Sequence, residues 1–434
     1  MSTVRYLRDP CGTLLDTAHR HGDPFTWRTF LGPVVVTGDP LGIAEILTAD
    51  PDVYSALGAE LLGPVIGVNN LILLSGEPHR AMRRFYGPRF HGQHLHHFGT
   101  VIARIADGHA ARWPANRPFV VEETMRAISL DVILEVVLGL GEPGTREAFK
   151  GAVLQLVRAL EPSFMFIPRL RRPMLGLSAW ARFRRRTAAA AALLEREVAV
   201  RRAEDHPRHD LLSLLIAARK DDGTAFGGEE ILEQILSLIG AGHETTASAL
   251  TWAFFHIHRN PGVRERLLDE LRAMGAETDP AAVTRLPFLD AVCCEALRLD
   301  PVAPLMGRTL RSSLTLKGHT LPAGVSVGIS IVGLHRRPDL YPDPDRFLPE
   351  RFLGRDHGPF EYLPFGGGSR RCLGASFAVY EMKLVLATVL RAHALHLIDR
   401  GDVRSSLRNT TASPAKKIRM VRVRSSAGRP RRAA

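Results

Sequence analysis

Phe365-Gly366-Gly367-Gly368-Ser369-Arg370-Arg371-Cys372-Leu373-Gly374 is the stretch that decides how this chain folds and what it binds. A cysteine ligand to a metal must be a thiolate. Thiolates are stabilised at helix N-termini by unpaired N–H groups and the dipole. Cys372 stands at such a position, just ahead of a long amphipathic pattern running from Gly374 to about Leu395. The glycines let the backbone fold tightly around the sulfur and aim N–H groups at it. Phe365 can shield the sulfur from water, and Arg370 can pair with a nearby anion. Three other readings compete. A phosphate loop would carry Gly-Lys-Ser/Thr, which is missing, and Arg371 stands where a third glycine would. A nucleophilic cysteine would need a partner histidine, which the sequence does not reveal, although spatial neighbours are invisible at this level. A buried structural cysteine would need neither the glycines nor the arginine.

The rest of the chain sets the frame. It has 434 residues, 45% hydrophobic and 24% charged, an ordinary balance for a globular protein. No Pro/Gly/Ser-rich linker divides it, so residues 1–414 are expected to form a single domain. Arg5, Arg8, Asp9, Asp16 and Arg20 interrupt the first residues, which argues against a signal peptide. No apolar run approaches the roughly 18–20 residues that span a bilayer. The expected location is therefore cytoplasmic. Four cysteines, with Cys293 and Cys294 adjacent and Cys11 and Cys372 far apart, suggest neither a disulfide framework nor a zinc finger. The net charge is +12, but eight cations and no acid fall in residues 415–434, and without them the chain carries only +4. Such a tail could bind nucleic acid or anionic lipid. A disordered, solvated terminus is the plainer expectation, and no nucleic-acid module is legible elsewhere.

Helix dominates, with a minority of strand. Val34 to Thr37 reads as a strand and Leu41 to Leu47 as a short helix. Val101 to Leu138 is helical in pattern, and the longest helix runs from about Glu229 to His258, before Pro261. Ser163 to Arg186 mixes large apolar residues with seven arginines and two prolines, as an amphipathic lid or a surface loop between helices would. Ser326 to Val332 reads as a strand, and Tyr341 to Phe352 as a proline-rich meander. His91, His94, His96 and His97 could be taken for a zinc site. They lack a helical His-x-x-x-His pair with a nearby carboxylate or cysteine, so a solvated loop is the preferred reading.

The cysteine loop resembles the haem-binding signature of the cytochrome P450 family, Phe-x-x-Gly-x-Arg-x-Cys-x-Gly, at every fixed position. With average compositions that match arises by chance in on the order of one chain in ten thousand. Further segments fall in the family's order. Glu295-Ala296-Leu297-Arg298 resembles its Glu-x-x-Arg helix, and Pro349-Glu350-Arg351-Phe352 resembles the segment supplying a third member, Arg351. The resemblance gives Glu295, Arg298 and Arg351 a structural role behind the haem. Ala241-Gly242-His243-Glu244-Thr245-Thr246 resembles the oxygen-binding groove, where a glycine and threonines within a helix make a local distortion plausible. By that likeness Glu244 and Thr245 deliver protons to the distal oxygen atom. His243 is given no role. His79 and Arg83, four apart, resemble the pair that bacterial members use for haem propionates, and Arg308 and Arg370 complete the set of cationic donors.

The resemblance covers roughly residues 20 to 410. It implies the mainly α cytochrome P450 fold with a smaller β region, and haem b held axially by Cys372. It also implies a monooxygenase that inserts one atom of O2 into an apolar substrate and reduces the other to water. No fused flavin or iron–sulfur module is legible. A separate ferredoxin or flavodoxin with its NAD(P)H reductase is expected to dock near Arg370 and Arg371, on a protein that is a monomer. The apolar segments Leu61 to Leu74, Phe164 to Leu170, Leu238 to Ala241 and Val302 to Met306 suggest a lipophilic substrate: a terpene, fatty acid, steroid or macrolide. A peroxide-driven enzyme of the same fold would not need the acid–alcohol pair. A non-catalytic haem sensor would need neither that pair nor the intact cysteine.

Overall fold

The structure is a computed structural model and describes residues 3–423, apart from 30–31, 91–92, 141, 204–207, 209, 221–222, 276–278 and 409. Its axis is the helix Gly228–Arg259. From Thr246 to Ile257 every residue of this helix is buried, as expected of a helix apolar on all sides. Trp252, Phe254 and Phe255 lie there, each contributing about 1.5–3 kcal/mol by leaving water. Around it pack the helices Val121–Leu138, Pro287–Leu299 and Ala375–Ala392, and their buried faces form one core. Gly242 makes the closest crossing possible: a Cβ there would stand 2.6 Å from Ile133 Cδ1. Among the described residues no helix is long and apolar enough to cross a membrane.

The β region is smaller. Five strands run in the order Phe25–Thr29, Gly32–Thr37, Ser326–Ser330, Leu305–Leu310, Tyr54–Ala56. Only the pairing of Gly32–Thr37 with Ser326–Ser330 is parallel. A second sheet orders Pro118–Val120, Arg419–Val423 and Ala394–Leu397, all antiparallel.

The expected strand at Val34 and the helices at Leu41 and Glu229 are present, as Gly32–Thr37, Pro40–Thr48 and Gly228–Arg259. Several expectations need correcting. The pattern from Val101 to Leu138 is two helices, Gln93–Ala111 and Val121–Leu138. They are parted by Pro114, Pro118 and Asn116, whose φ is +58°, because proline cannot continue a helix. The segment from Ser163 to Arg186 is irregular only at first. Past Pro168 and Pro173 a 25-residue helix, Ala179–Ala203, begins, rich in the helix-forming Ala and Arg. The strand at Ser326 stops at Ser330, whose hydroxyl caps the short helix Ile331–His335 by accepting from Gly333 N at 3.1 Å.

The basic tail also begins later than expected. Within 415–434, Ile418 and Met420 are buried and Arg419–Val423 is the middle strand of the second sheet. Its two arginines, following Lys416 and Lys417, obscured that in the sequence. Residues 424–434 lie outside the described residues, as does His91, while His96 and His97 are exposed on the helix Gln93–Ala111.

Candidate functional site

The cysteine loop is a tight fold that only its glycines permit. Gly366 has φ +66° and Gly368 φ +63°, the left-handed region that L side chains avoid. Cys372 N donates to Phe365 O at 2.8 Å and Arg371 N to Gly368 O at 3.1 Å, closing the loop on itself. It lies against the helix Pro40–Thr48: a Cβ on Gly368 would meet the Leu47 carbonyl oxygen at 2.8 Å, and one on Gly366 would meet Met306 Sδ at 2.4 Å. In Gly368→Ala the backbone conformation alone is expected to cost about 1–2 kcal/mol. The backbone clash adds a comparable amount. Chemical unfolding of the variant, compared with Gly374→Ala where nothing lies within 4 Å, measures the difference.

Cys372 is exposed, yet crowding by the surrounding chain raises its thiol above the ordinary value. The Gly374 N–H, Arg371 and Arg83 pull the other way and lose. A residue open on one side and crowded on the others is part of a cleft wall. The expectation from the loop alone, a thiolate stabilised by the helix start, is therefore corrected. Desolvation outweighs the N–H and the cations, so the anion needs a further positive centre on the open side.

Four residues called anion-binding in the sequence come together beside it. His79 and Arg83 lie on the helix Gly76–Tyr86, Arg308 on the strand Leu305–Leu310 and Arg370 in the loop. Their side chains reach backbone oxygens: Arg83 Nη1 that of Arg371 at 2.7 Å, Arg308 Nη2 that of Gly367 at 3.3 Å, and Arg370 Nη1 that of Ile72 at 3.0 Å. Arg370 Nη2 also donates to Ser75 Oγ at 2.9 Å. Arg308 lies over the Tyr54 ring, 5.2 Å from its centre. Among the described residues no carboxylate pairs with Arg83, Arg308 or Arg370. All three are pushed below the ordinary arginine value, Arg370 to about 10, by burial and, for Arg370, by Arg308, Arg311 and Arg83. His79 falls to about 4 through burial and then Arg370, Arg83 and Arg308, so it is neutral at pH 7 rather than the cation expected of it. Partly buried guanidiniums without counter-charge fit a ligand that brings carboxylates.

Facing away from the core, Gly240 and Ala241 are exposed in the middle of the central helix, and Glu244 and Thr245 beside them are half-buried. A break in the burial of a core helix marks a space lined by it. The helix is continuous through this turn, contrary to the expected distortion, and Thr245 Oγ1 donates to Ala241 O at 2.5 Å. Glu244 lies 3.8 Å from Arg126 Nη2, which also pairs with Glu122 at 3.1 Å. Arg126 was missed in the sequence. Its i,i+4 pairing with Glu122 was legible, but its approach to Glu244 depends on how two helices cross. Of the apolar segments, Leu62, Val65 and Ile66 pack with Phe164, Met165 and Phe183 in one cluster.

Glu295, Arg298 and Arg351 meet as a fully connected network. All five N–H bonds of Arg298 are used: Nε and Nη2 to the Glu295 carboxylate at 2.6 and 2.9 Å, Nη1 to the His335 and Pro344 carbonyls at 2.8 Å each, and Nη2 to that of Arg346 at 3.1 Å. Glu295 Oε1 also accepts from Leu348 N at 2.8 Å and Arg351 Nε at 3.2 Å. The network holds residues 335–348 against the helix Pro287–Leu299, and Leu363 N, donating to His335 Nε2 at 2.9 Å, carries that order to the cysteine loop.

A family model described as Cytochrome P450 matches residues 8–421. The chain is 35% identical over 428 residues to the Mycobacterium tuberculosis protein named "Putative cytochrome P450 135B1", covering 98% of this chain and 89% of that protein. It is 32% identical over 406 residues to "Putative cytochrome P450 138" of the same organism, covering 91% and 88%. Among solved structures, the retinoic-acid-bound cyanobacterial CYP120A1 superposes with a TM-score of 0.84 at 27% identity, over 97% of this chain and 96% of that one. The cytochrome P450DA heme domain superposes with the same TM-score at 22% identity, over 96% and 94%.

Proposed function

This chain belongs to the cytochrome P450 family, and from that membership we propose how its own residues divide the work of a haem-thiolate monooxygenase. The family binds iron protoporphyrin IX and acts as oxidoreductase, and this chain has the fold that does so. When bound, the haem supplies the oxygen chemistry, in which one atom of O2 enters the substrate and the other leaves as water, consuming an electron pair and two protons. Cys372 holds the iron. Arg83, Arg308 and Arg370 hold the propionates, with His79 as a neutral donor. The observation that carries this reading is the group of three guanidiniums beside the cysteine without a carboxylate partner among the described residues.

Glu244 and Thr245 handle the protons. The Thr245 hydroxyl hydrogen is already given to Ala241, which leaves the oxygen as an acceptor that orders a donor in the exposed notch. Glu244 takes protons from solvent and passes them on, its side chain held by Arg126. Glu295, Arg298 and Arg351 have no part in the chemistry and keep the cysteine loop in place.

The substrate is a lipophilic small molecule of terpene, fatty-acid, steroid or macrolide type. The clustering of Leu62, Val65 and Ile66 with Phe164 supports this, as does the retinoic acid named for the cyanobacterial relative. Electrons arrive from a separate ferredoxin or flavodoxin with its reductase, docking around exposed Arg371 and neighbouring Arg370. Charge reversal at Arg371 is the matching test of that surface, because it should slow reduction most at low ionic strength.

The monooxygenase reading is tested by comparing product formed with electron partners against product formed with peroxide alone. Product with partners, and little with peroxide, is the expected result; the reverse pattern favours a peroxide-driven enzyme. In Thr245→Ala, several-fold more of the electrons consumed should appear as hydrogen peroxide. Unchanged coupling in that variant overturns the proton assignment.

A further inference from the structure

We propose that Glu233, Gln234 and Ser237 of the central helix latch Asn69 and Asn70, and that this latch sets selectivity by fixing residues 69–74 as an apolar wall of the substrate space. The inference deepens the lipophilic-substrate reading and rests on it.

The latch is made of hydrogen bonds from one helical turn. Glu233 Oε2 accepts from Asn69 N at 2.9 Å, and Gln234 Nε2 donates to Asn69 O. Ser237 Oγ donates to Asn70 Oδ1 at 2.9 Å. Asn70 is buried, and its amide closes the turn in which it stands: Oδ1 also accepts from Ile72 N at 2.9 Å, and Nδ2 donates to Ile66 O at 3.2 Å. An N–H can only donate, so the Ile72 bond fixes the oxygen end of the amide as the end that meets Ser237. Asn70 O accepts from Leu73 N at 2.9 Å and Leu74 N at 3.0 Å. Gly67 enters the segment with φ +94°, and a Cβ on it would run into the Glu233 side chain. The far end is held by Arg370, whose Nη1 donates to Ile72 O at 3.0 Å and whose Nη2 donates to Leu74 O and to Ser75 Oγ at 2.9 Å.

The latch stands on the helix face that carries the exposed notch. Ser237, Ala241 and Thr245 are four apart, so Ser237 precedes Ala241 by about 6 Å along the axis. Residues 69–74 therefore run from the helix that forms the notch to the loop that carries Cys372, and border the space between them. Their polar groups are largely spent on the chain itself: Asn69 N and O, the Asn70 amide, Ile72 N and the carbonyls of Asn70, Ile72 and Leu74. What remains for a ligand is aliphatic, from Leu71 to Leu74, with Leu71 and Leu74 backed by the main core. Such a wall favours apolar surface and leaves a polar ligand group without a partner. Losing one bond lets the segment leave the helix, and affinity for a ligand that needs the wall falls with the fraction still latched. These five residues touch no reacting atom; they are positioning residues.

Hydrogen exchange over residues 66–75 and haem-spectrum titrations with two nitrogen ligands test this together. Imidazole needs only the iron, whereas N-dodecylimidazole carries an apolar chain that must lie against the wall. The proteins are the parent, S237A, S237T and N70A, each kept if its reduced carbon monoxide spectrum remains that of a folded haem-thiolate protein. In S237A and N70A, exchange over 66–75 should be several-fold faster and N-dodecylimidazole should bind roughly five-fold more weakly, while imidazole binds as in the parent. S237T keeps the hydroxyl and should match the parent in both readouts. Parental exchange in both S237A and N70A overturns the proposal, as does parental affinity for N-dodecylimidazole despite faster exchange, or an equal loss for imidazole. If N-dodecylimidazole binds the parent no better than imidazole while exchange still rises in S237A, the failure lies with the lipophilic-substrate reading and not with the latch.

Discussion

Replacing Cys372 with serine is expected to abolish the thiolate-type carbon monoxide spectrum of the reduced protein while leaving much of its capacity to take up haem. The cleft already raises a thiol by desolvation, against the help of the Gly374 N–H, Arg371 and Arg83. An alcohol ionises far less readily than a thiol, so in the same surroundings serine stays neutral and donates little charge to the iron. No other cysteine can take its place. Cys293 and Cys294 lie in the helix Pro287–Leu299, and Cys11 and Cys294 are pushed up to about 12 by burial. The arginines that flank the cleft are untouched in the variant, which is why haem content and spectrum should part company. Haem stoichiometry and the reduced carbon monoxide spectrum, taken on one preparation, check both halves. A surviving thiolate-type band would remove Cys372 from the iron.

Arg298→Ala is expected to cost about 3–5 kcal/mol of stability, the usual effect of stranding one partner of a buried ion pair. Native proteins have only about 5–15 kcal/mol in total, so much of the chain should be unfolded or unable to hold haem at moderate temperature. The cause is specific. Glu295 and Arg298 are fully buried, and truncation strands the carboxylate and three carbonyls that the guanidinium now satisfies. Arg298→Lys should recover only part of the loss, because an ammonium offers three donors where five are used. Urea unfolding midpoints of parent, Ala and Lys variants give the order directly. Near-parental stability in the alanine variant would mean that water enters and replaces the guanidinium, and that the network does not hold the cysteine loop.

The two variants also separate what could be read from the chain from what could not. The cysteine loop was legible because its constraints are local. Gly366 and Gly368 are demanded by backbone angles within a ten-residue turn, and the positions of Phe365, Arg370 and Cys372 are set by the same turn. Glu295 and Arg298 were legible as a pair because one helix fixes their spacing. Their weight was not, since three of the hydrogen bonds that hold Arg298 come from carbonyls 37 to 48 positions further on. The strand Arg419–Val423 was missed for a related reason. A run dense in cations reads as solvated until the sheet pairs Met420 between Phe119 and Leu397 and buries it.

The sequence by itself determined the glycine-built loop around Cys372, the helical character of the chain and the residue types offered to an anion. Those follow from backbone geometry and side-chain chemistry over a few residues. Only the tertiary structure decided the charge states. It made His79 neutral by burying it and by gathering arginines around it, and reversed the expected direction for the Cys372 thiol. It also brought Arg126 to Glu244. Desolvation and Coulomb interaction depend on which atoms surround a group in space, and those atoms come from elements far apart in the chain.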